Sequence, residues 1–279
     1  MRMLKVVVPI AICVALRLAA QDPADLAAAK GLDQEIEKLN DLSDQARTRA
    51  VKDLVLRIRQ QPRAYAVTLA YNLAISAAEA TERDTLQEVT TTLLDALQEA
   101  PNKYRNDFHY TMLAKLARYY HMQVSLDDPR YAAEMSKLEA DDQRRSAVDF
   151  TLRDVQGRKW NLRSLRGKVV LVNFWATWCP PCRRELPDLG VLYERFRNRG
   201  FVILAVTDEE VSTVKPFLSQ EKVGYSVLLD PGHKVKDLFG IDGIPQSLVY
   251  DREGHLVAQA IDRPTLRGFL DMLAQAGLQ

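Results

Sequence analysis

Two cysteines separated by two prolines are the residues whose types and spacing most directly suggest chemistry in this chain. Cys179 and Cys182 lie in the segment NFWATWCPPCRRELP, residues 173–187. Two thiols three positions apart can clip a metal ion, form a static disulfide, or exchange electrons through a reversible disulfide. The choice depends on the elements that position the pair and on the other ligands that the chain offers.

The sequence predicts a buried strand before the pair and a helix after it. The segment KVVLVNF, residues 168–174, is a continuous apolar run, typical of a central strand buried on both faces. After the loop WATW, a helix is expected to begin at about Pro180, because the first helical position needs no N–H. Cys179 would then lie at a helix N-terminus, where the dipole and free N–H groups favour the thiolate. Cys182, one turn later on the same face, is placed to resolve a mixed disulfide.

Metal binding and a purely structural disulfide are the alternatives to thiol exchange. A tetrahedral metal site needs two further ligands. The chain has no second CxxC, and its histidines form no pair with ligand spacing: His109, His121, His233 and His255. A disulfide across three positions closes a very small loop and gains little loop entropy. Exchange is therefore the favoured chemistry, and neither a metal nor a cofactor is predicted.

The charge balance argues against a nucleic-acid partner. Lys and Arg number 38 and Asp and Glu number 37, which gives a net charge of +1 over 279 residues. The two signs are interspersed, as in DQEIEK, whereas proteins that track phosphates usually present a concentrated basic face. The charged residues are therefore interpreted as a mixed, solvated surface.

Residues 1–20 have the layout of a secretory signal peptide. Arg2 and Lys5 form a positive start, residues 6–16 are an apolar run, and small residues precede the polar QDPAD. The run is too short to span a bilayer, and an uncleaved anchor is the alternative. The protein is therefore expected to be exported to the periplasm or cell envelope, either soluble after cleavage or anchored at its N-terminus.

Cleavage near Ala20 would also simplify the cysteine count. It would remove Cys13 and leave Cys179 and Cys182 as the remaining thiols. A single pair in an exported chain is explained more readily by redox chemistry than by a disulfide scaffold.

The rest of the chain divides into two parts with different hydrophobic periods. Residues 21–145 show three-four spacing of apolar residues, with breaks near residues 42–43, 60–63, 81–82 and 100–103. This pattern predicts an all-α domain of helical hairpins or a small bundle. Over residues 146–279, strand-length runs alternate with helices and end in a hairpin, which predicts an α/β domain with a mixed sheet covered by helices. The charged stretch EADDQRRS, residues 139–146, marks the expected boundary.

The second part resembles a known family. VVLVNFWATWCPPCRRELP strongly resembles the active-site segment of exported thioredoxin-fold thiol–disulfide oxidoreductases of the TlpA/ResA type. DFTLRDVQGRKWNLRSLRGK is similar to their extra N-terminal hairpin, and YSVLLDPGHKVKDLFGIDGIPQSLVYDREGHLV to their second half. The resemblance covers about residues 147–279. It implies a thioredoxin-like fold and dithiol exchange through Cys179 and Cys182.

The resemblance also implies roles for residues near the pair. Pro245 matches a proline that is cis and faces the disulfide in the family, and Glu185 matches an acidic residue one turn after the second cysteine. A partly desolvated carboxylate at that position could move protons for Cys182, whereas the alternative is a solvated helix carboxylate. Trp178 and Ile244 are expected to line a substrate groove, together with Gln246.

Three positions depart from the pattern of plain thioredoxins. Asn173 stands where they carry a buried Asp, which strengthens the case for Glu185 as the proton carrier. Gln246 and Ser247 replace the usual threonines after the cis proline, so the client preference is open.

The family also suggests partners. Exported proteins with oxidised cysteines, such as haem-accepting apocytochromes of cytochrome c biogenesis, are the expected clients, and a membrane electron donor is expected to recharge the pair. The helical half lies outside the resemblance and is expected to bind a protein partner or to dimerise. Two alternatives stay open. One is a peroxiredoxin-type peroxidase, although neither Cys179 nor Cys182 has the P-x-x-x-[ST]-x-x-C setting. The other is an envelope partner-binding protein with an auxiliary redox domain.

Overall fold

The structure is a computed structural model that describes residues 22–78, 82–221, 223–260 and 263–279, without the side chains of Asn40 and Asp44. The predicted signal peptide, residues 1–20, lies outside the described residues. The chain divides into two compact units, Met1–Ser136 and Lys137–Gln279. No helix within the described part of the chain is long and apolar enough to cross a membrane.

The first unit is helical, as the periodicity predicts. Its helices are α1 (Pro23–Glu37), α2 (Asp44–Arg59), α3 (Arg63–Ala77), α4 (Arg83–Glu99) and α5 (Asp107–Tyr119). Each expected break falls between two of these helices. Helices α2 and α4 each bury one apolar face. The buried side chains are Val51, Leu54, Val55 and Ile58 in α2, and Leu86, Val89, Leu93 and Leu97 in α4.

The apolar face of α5 is only partly buried. Met112 and Leu116 are buried, whereas Phe108 is 38% exposed. Phe108 lies in the first turn of the helix, where its ring centroid is 4.8 Å from that of Tyr71 and 4.2 Å from that of His109. The face therefore continues into a partly exposed aromatic cluster.

A sixth helix, α6 (Pro129–Ala147), is absent from the sequence-based prediction. Leu138 is its one buried residue, and most of its other residues are charged or small. Its start is instead stabilised by Asp128, whose Oδ1 accepts a hydrogen bond from the backbone nitrogen of Arg130 at 2.9 Å. The charged stretch at residues 139–146 is thus helical.

The second unit contains a mixed sheet, which confirms the predicted fold class. Among the described residues the sheet has seven strands: β1 (Thr151–Asp154), β2 (Lys159–Asn161), β3 (Val169–Phe174), β4 (Phe201–Thr207), β5 (Ser226–Leu229), β6 (Gln246–Tyr250) and β7 (Leu256–Gln259). Their order is β2-β1-β5-β4-β3-β6-β7. Strands β3, β4 and β5 are parallel, and the remaining pairs are antiparallel.

Helices cover both faces of this sheet: α7 (Pro180–Phe196), α8 (Val211–Gln220), α9 (Lys234–Phe239) and α10 (Leu266–Gln275). Every residue of β3 is buried, as expected for a central strand. Because side chains alternate along a strand, Val169 and Leu171 join one core cluster, whereas Val170 and Val172 join the other.

The register of the central strands brings three chain segments to one edge. Phe174, the last residue of β3, pairs with Val206 of parallel β4 and with Gln246 of antiparallel β6. The backbone nitrogen of Trp175 then donates to the carbonyl oxygen of Val206 at 3.1 Å. The loop after β3, the end of β4 and the segment before β6 therefore meet at this edge.

Candidate active site

Cys179 and Cys182 form a disulfide at the start of α7. Their Cα atoms are 5.3 Å apart. Cys179 caps the helix, and its Sγ accepts a hydrogen bond from the backbone nitrogen of Cys182 at 3.2 Å. Pro180 and Pro181 occupy the first helical positions and have no N–H. The first backbone donor after Cys179 is therefore the nitrogen of its own disulfide partner.

Both cysteines of the disulfide are buried. Cys179 is 2% exposed and Cys182 is fully buried. Cys179 Sγ lies 3.9 Å from the backbone carbonyl oxygen of Ile244, so the segment before β6 limits access to it. The exposed surface beside the pair is Trp178, whose side chain is 60% accessible.

Of the residues expected to line a groove, Trp178 and Ile244 lie next to the disulfide, whereas the side chain of Gln246 is bonded elsewhere. Ile244 and Pro245 lie at the pair, and the peptide bond between them is cis. Trp178 is adjacent to Cys179 in the loop. Gln246 is half-buried, and its Nε2 donates to the carbonyl oxygen of Ala260 at 2.6 Å. Its amide is thus tied to the chain after β7.

Glu185 is fully buried, so the solvated alternative does not describe it. Asn173 Nδ2 donates to Glu185 Oε1 at 2.7 Å and contacts Ser247 Oγ at 3.1 Å. All three side chains are buried: Asn173 belongs to β3, Glu185 to α7 and Ser247 to β6. Asn173, one departure from plain thioredoxins, therefore holds the Glu185 carboxyl group, and Ser247, another departure, contacts Asn173.

Two opposing effects act on the Glu185 carboxyl group. Burial favours its protonated form, whereas the hydrogen bond from Asn173 favours its ionised form. The charge also reaches a neighbour: burial and then the negative charge of Glu185 raise the pKa of Tyr225. This carboxyl group lies one helical turn from Cys182.

Glu209 is a contact of the active-site loop that the sequence-based prediction does not name. Its carboxylate accepts hydrogen bonds from the backbone nitrogen and the hydroxyl of Thr177, two residues before Cys179. The available signal was its position just after the apolar, strand-length run that ends at Thr207. Only the register of β3 and β4 shows which loop it reaches.

The site holds no arrangement suited to a metal. In the described parts of the chain, no group of three or more His, Cys, Asp or Glu side chains could hold a metal ion. The two thiols are used in the disulfide.

Comparison with known proteins agrees with this geometry. The AhpC/TSA family model matches residues 144–259. Thiol-disulfide oxidoreductase ResA of Bacillus thuringiensis (strain Al Hakam) is 36% identical over 130 residues, which covers 45% of this chain and 75% of that protein. ResA of Bacillus subtilis (strain 168) is 33% identical over 128 residues, which covers 46% of this chain and 72% of that protein.

A solved structure is also similar. It is described as a thiol:disulfide interchange protein of the thioredoxin family from Chlorobium tepidum TLS. It is 30% identical and has a TM-score of 0.43, and the match covers 46% of this chain and 92% of that one.

These matches fall on the second unit and leave most of the helical unit outside. The relatives are named as thiol–disulfide oxidoreductases, and the disulfide of this chain lies within the part that matches the family model. The chain therefore belongs to the family of ResA-type thiol–disulfide oxidoreductases and carries a helical unit N-terminal to the matched domain.

Proposed function

We propose that the Cys179–Cys182 pair reduces disulfides of exported client proteins. The observation that supports this direction is the hydrogen bonding at Cys179 Sγ, which accepts from the Cys182 nitrogen while two prolines occupy the start of the helix. Oxidants of this class owe their power to a strongly stabilised reduced form. A thiolate with few backbone donors is stabilised less, which favours a reducing pair.

The reaction transfers two electrons to the client. The Cys179 thiolate attacks one sulfur of the client disulfide, forms a mixed disulfide and releases one client thiolate. The Cys182 thiolate then attacks Cys179 Sγ, forms the intramolecular disulfide and releases the second client thiolate. Each client thiolate takes up one proton, so the client gains two thiols and the pair is oxidised.

Glu185 carries the proton that Cys182 must lose. Cys182 is buried, and burial in apolar surroundings favours its thiol over its thiolate. Glu185 lies on the same helical face, and Asn173 holds one of its oxygens. Ionised Glu185 accepts the proton as Cys182 becomes nucleophilic and releases it after the mixed disulfide is resolved.

Clients would dock beside Trp178 and along the segment that carries Ile244 and Pro245. Trp178 supplies an exposed aromatic surface, and the Ile244 carbonyl lies next to Cys179. Gln246 shapes the far side of this surface through its contact with Ala260. A membrane protein with a dithiol would reduce the pair again after each cycle.

The proposal includes export of the protein and a binding role for its helical unit. Export would follow from the signal-peptide layout of residues 1–20. The helical unit would bind a protein partner or dimerise, and light scattering of the full mature chain separates these two roles.

Trapping tests the proposed function. A Cys182→Ala variant should hold its client as a mixed disulfide through Cys179, because the resolving thiol is absent. The captured species is released by dithiothreitol and identified by mass spectrometry, with Cys179→Ala as the matched control. Rapid hydrogen peroxide consumption by the wild type, with no captured protein, would favour a peroxidase instead.

A further inference from the structure

We propose that Glu209 is a positioning residue for the redox pair. Its carboxylate clamps the loop between β3 and α7 and fixes the geometry with which Cys179 attacks a disulfide. The proposal rests on the thiol exchange described above, and it adds a residue from the neighbouring strand to the machinery of that exchange.

The clamp consists of two short hydrogen bonds to one residue. The backbone nitrogen of Thr177 donates to Glu209 Oε2 at 2.7 Å, and the Thr177 hydroxyl donates to Glu209 Oε1 at 2.6 Å. Both carboxylate oxygens are thus used on a single loop residue. Hydrogen bonds to an ionised acceptor are about twice as strong as neutral ones, and two-pronged pairing also fixes orientation.

The carboxylate is itself held at the end of β4. The backbone nitrogen of Glu209 donates to Thr207 Oγ1 at 3.3 Å, and that hydroxyl lies 3.3 Å from Glu209 Oε2. Thr207 is buried, and its carbonyl oxygen accepts from the backbone nitrogen of Asp230 at 2.8 Å. The clamp is therefore anchored on the sheet.

The loop has a backbone hydrogen bond on either side of Thr177, but only the one before it reaches the sheet. The nitrogen of Trp175 donates to Val206, and the nitrogen of Cys179 donates to the carbonyl oxygen of Ala176 within the loop. The second contact is local and does not tie the loop to the sheet. The Glu209 carboxylate supplies that tie, two residues before the attacking sulfur.

Position matters because the attacking sulfur must meet the client disulfide in a narrow range of directions. A displacement of about 1 Å at a reacting group can slow a reaction by about a hundredfold. Loss of the clamp should move Cys179 by less than about 1 Å, because Cys179 still caps the helix that begins at Pro180. We expect a loss of about tenfold in the rate of attack.

A purely electrostatic role for Glu209 makes the opposite prediction. A carboxylate near Cys179 would oppose formation of the thiolate, so its neutralisation would speed attack at neutral pH. The pH profile separates the two roles. A clamp sets the plateau rate at high pH, where all of Cys179 is thiolate, whereas a charge effect moves the midpoint of the profile and leaves the plateau unchanged.

The test compares four variants of the full mature chain. Glu209→Gln keeps the shape but weakens acceptance, and Thr177→Val removes the hydroxyl donor while it keeps the carboxylate. Thr177→Ser retains both donors and serves as the rescue. Glu210→Gln removes the neighbouring exposed carboxylate and is the matched control. The rate of attack by the reduced protein is measured from pH 5 to pH 10 with neutral 2,2′-dithiodipyridine and with insulin.

The clamp predicts a plateau about tenfold lower for Glu209→Gln and Thr177→Val with an unchanged midpoint, and wild-type plateaus for Thr177→Ser and Glu210→Gln. A wild-type plateau in Thr177→Val, or a faster Glu209→Gln at neutral pH, overturns it. If Glu209→Gln does not fold, the Thr177 pair decides. Failure of Cys182→Ala to capture any client would contradict the client-reducing function, while the small disulfide still tests the clamp.

Discussion

Asn173 Nδ2 donates a 2.7 Å hydrogen bond to Glu185 Oε1 inside the core of the second unit. This bond joins the central strand to the active-site helix one turn after Cys182. Plain thioredoxins place an acid on the strand. Here the strand supplies an amide, and the helix that bears the cysteines supplies the acid, which we propose as the proton carrier.

Glu185→Gln should slow resolution of the mixed disulfide by about tenfold or more, mainly around neutral pH. The amide keeps the shape and can still pair with Asn173, but it cannot accept the proton from Cys182. Stopped-flow measurement of the second exchange step across pH checks this, together with thermal unfolding to confirm that the domain is intact.

Glu194→Gln provides the control for this variant. Glu194 lies on the same helix, and its side chain is exposed and paired with Arg197. Glu194→Gln should leave the pH–rate profile of the second exchange step unchanged. An identical pH–rate profile for Glu185→Gln and the wild type would show that Glu185 moves no proton in the cycle.

Cys179 should alkylate much faster than Cys182 in the reduced protein. Both cysteines are buried in the disulfide, but Cys179 lies at the helix N-terminus beside exposed Trp178, where the thiolate is favoured, whereas Cys182 lies inside the first turn. Brief iodoacetamide treatment followed by tandem mass spectrometry of the tryptic peptide that carries both cysteines, residues 169–183, measures both rates. Equal labelling of the two cysteines would contradict the division into attacking and resolving thiols.

His109 should make the helical unit sensitive to acid. It is fully buried, and burial lowers its pKa to about 4 from an ordinary value of 6.5. Its Nδ1 accepts from the backbone nitrogen of Asn106 at 3.0 Å and so helps to cap α5. Because the unfolded chain binds a proton at higher pH than the folded one, this stability is present above pH 6.5 and is lost as pH falls towards 4.

His109→Gln should remove that dependence, because glutamine retains a capping acceptor without titrating. The wild type should lose about 2 kcal/mol of unfolding free energy between pH 7 and pH 5 from this group, and the variant should not. Urea unfolding followed by circular dichroism gives both values. The exposed His255→Gln is the control, and the account of His109 fails if the two variants have the same pH dependence.

The chemistry-bearing segment was the most predictable part of the chain. The apolar run before Phe174 and the prolines after Cys179 fix a buried strand and a helix start through local physics. The helical unit was predictable for the same reason, since α2 and α4 carry continuous apolar faces. Helix α6 was not predicted, and only one of its residues, Leu138, is buried.

The contacts around the pair depend on register, which local patterns do not specify. Thr177 and Glu209 are 32 positions apart and meet because β3 and β4 are parallel neighbours. Asn173 and Ser247 meet because β6 lies antiparallel on the other side of β3. The burial of Cys179 likewise depends on the position of the Ile244 carbonyl, which only the folded chain sets.

The reduction potential of the Cys179–Cys182 pair tests the central claim most directly. The Cys182 nitrogen donates to Cys179 Sγ, and the intervening prolines add no donor, so the thiolate gains modest stabilisation and the pair should be reducing. Equilibration of the full mature chain against dithiothreitol and glutathione buffers gives the potential. The account predicts roughly −230 to −280 mV, near the thioredoxin end of the range. A potential above about −160 mV would make the pair an oxidant and would contradict the account.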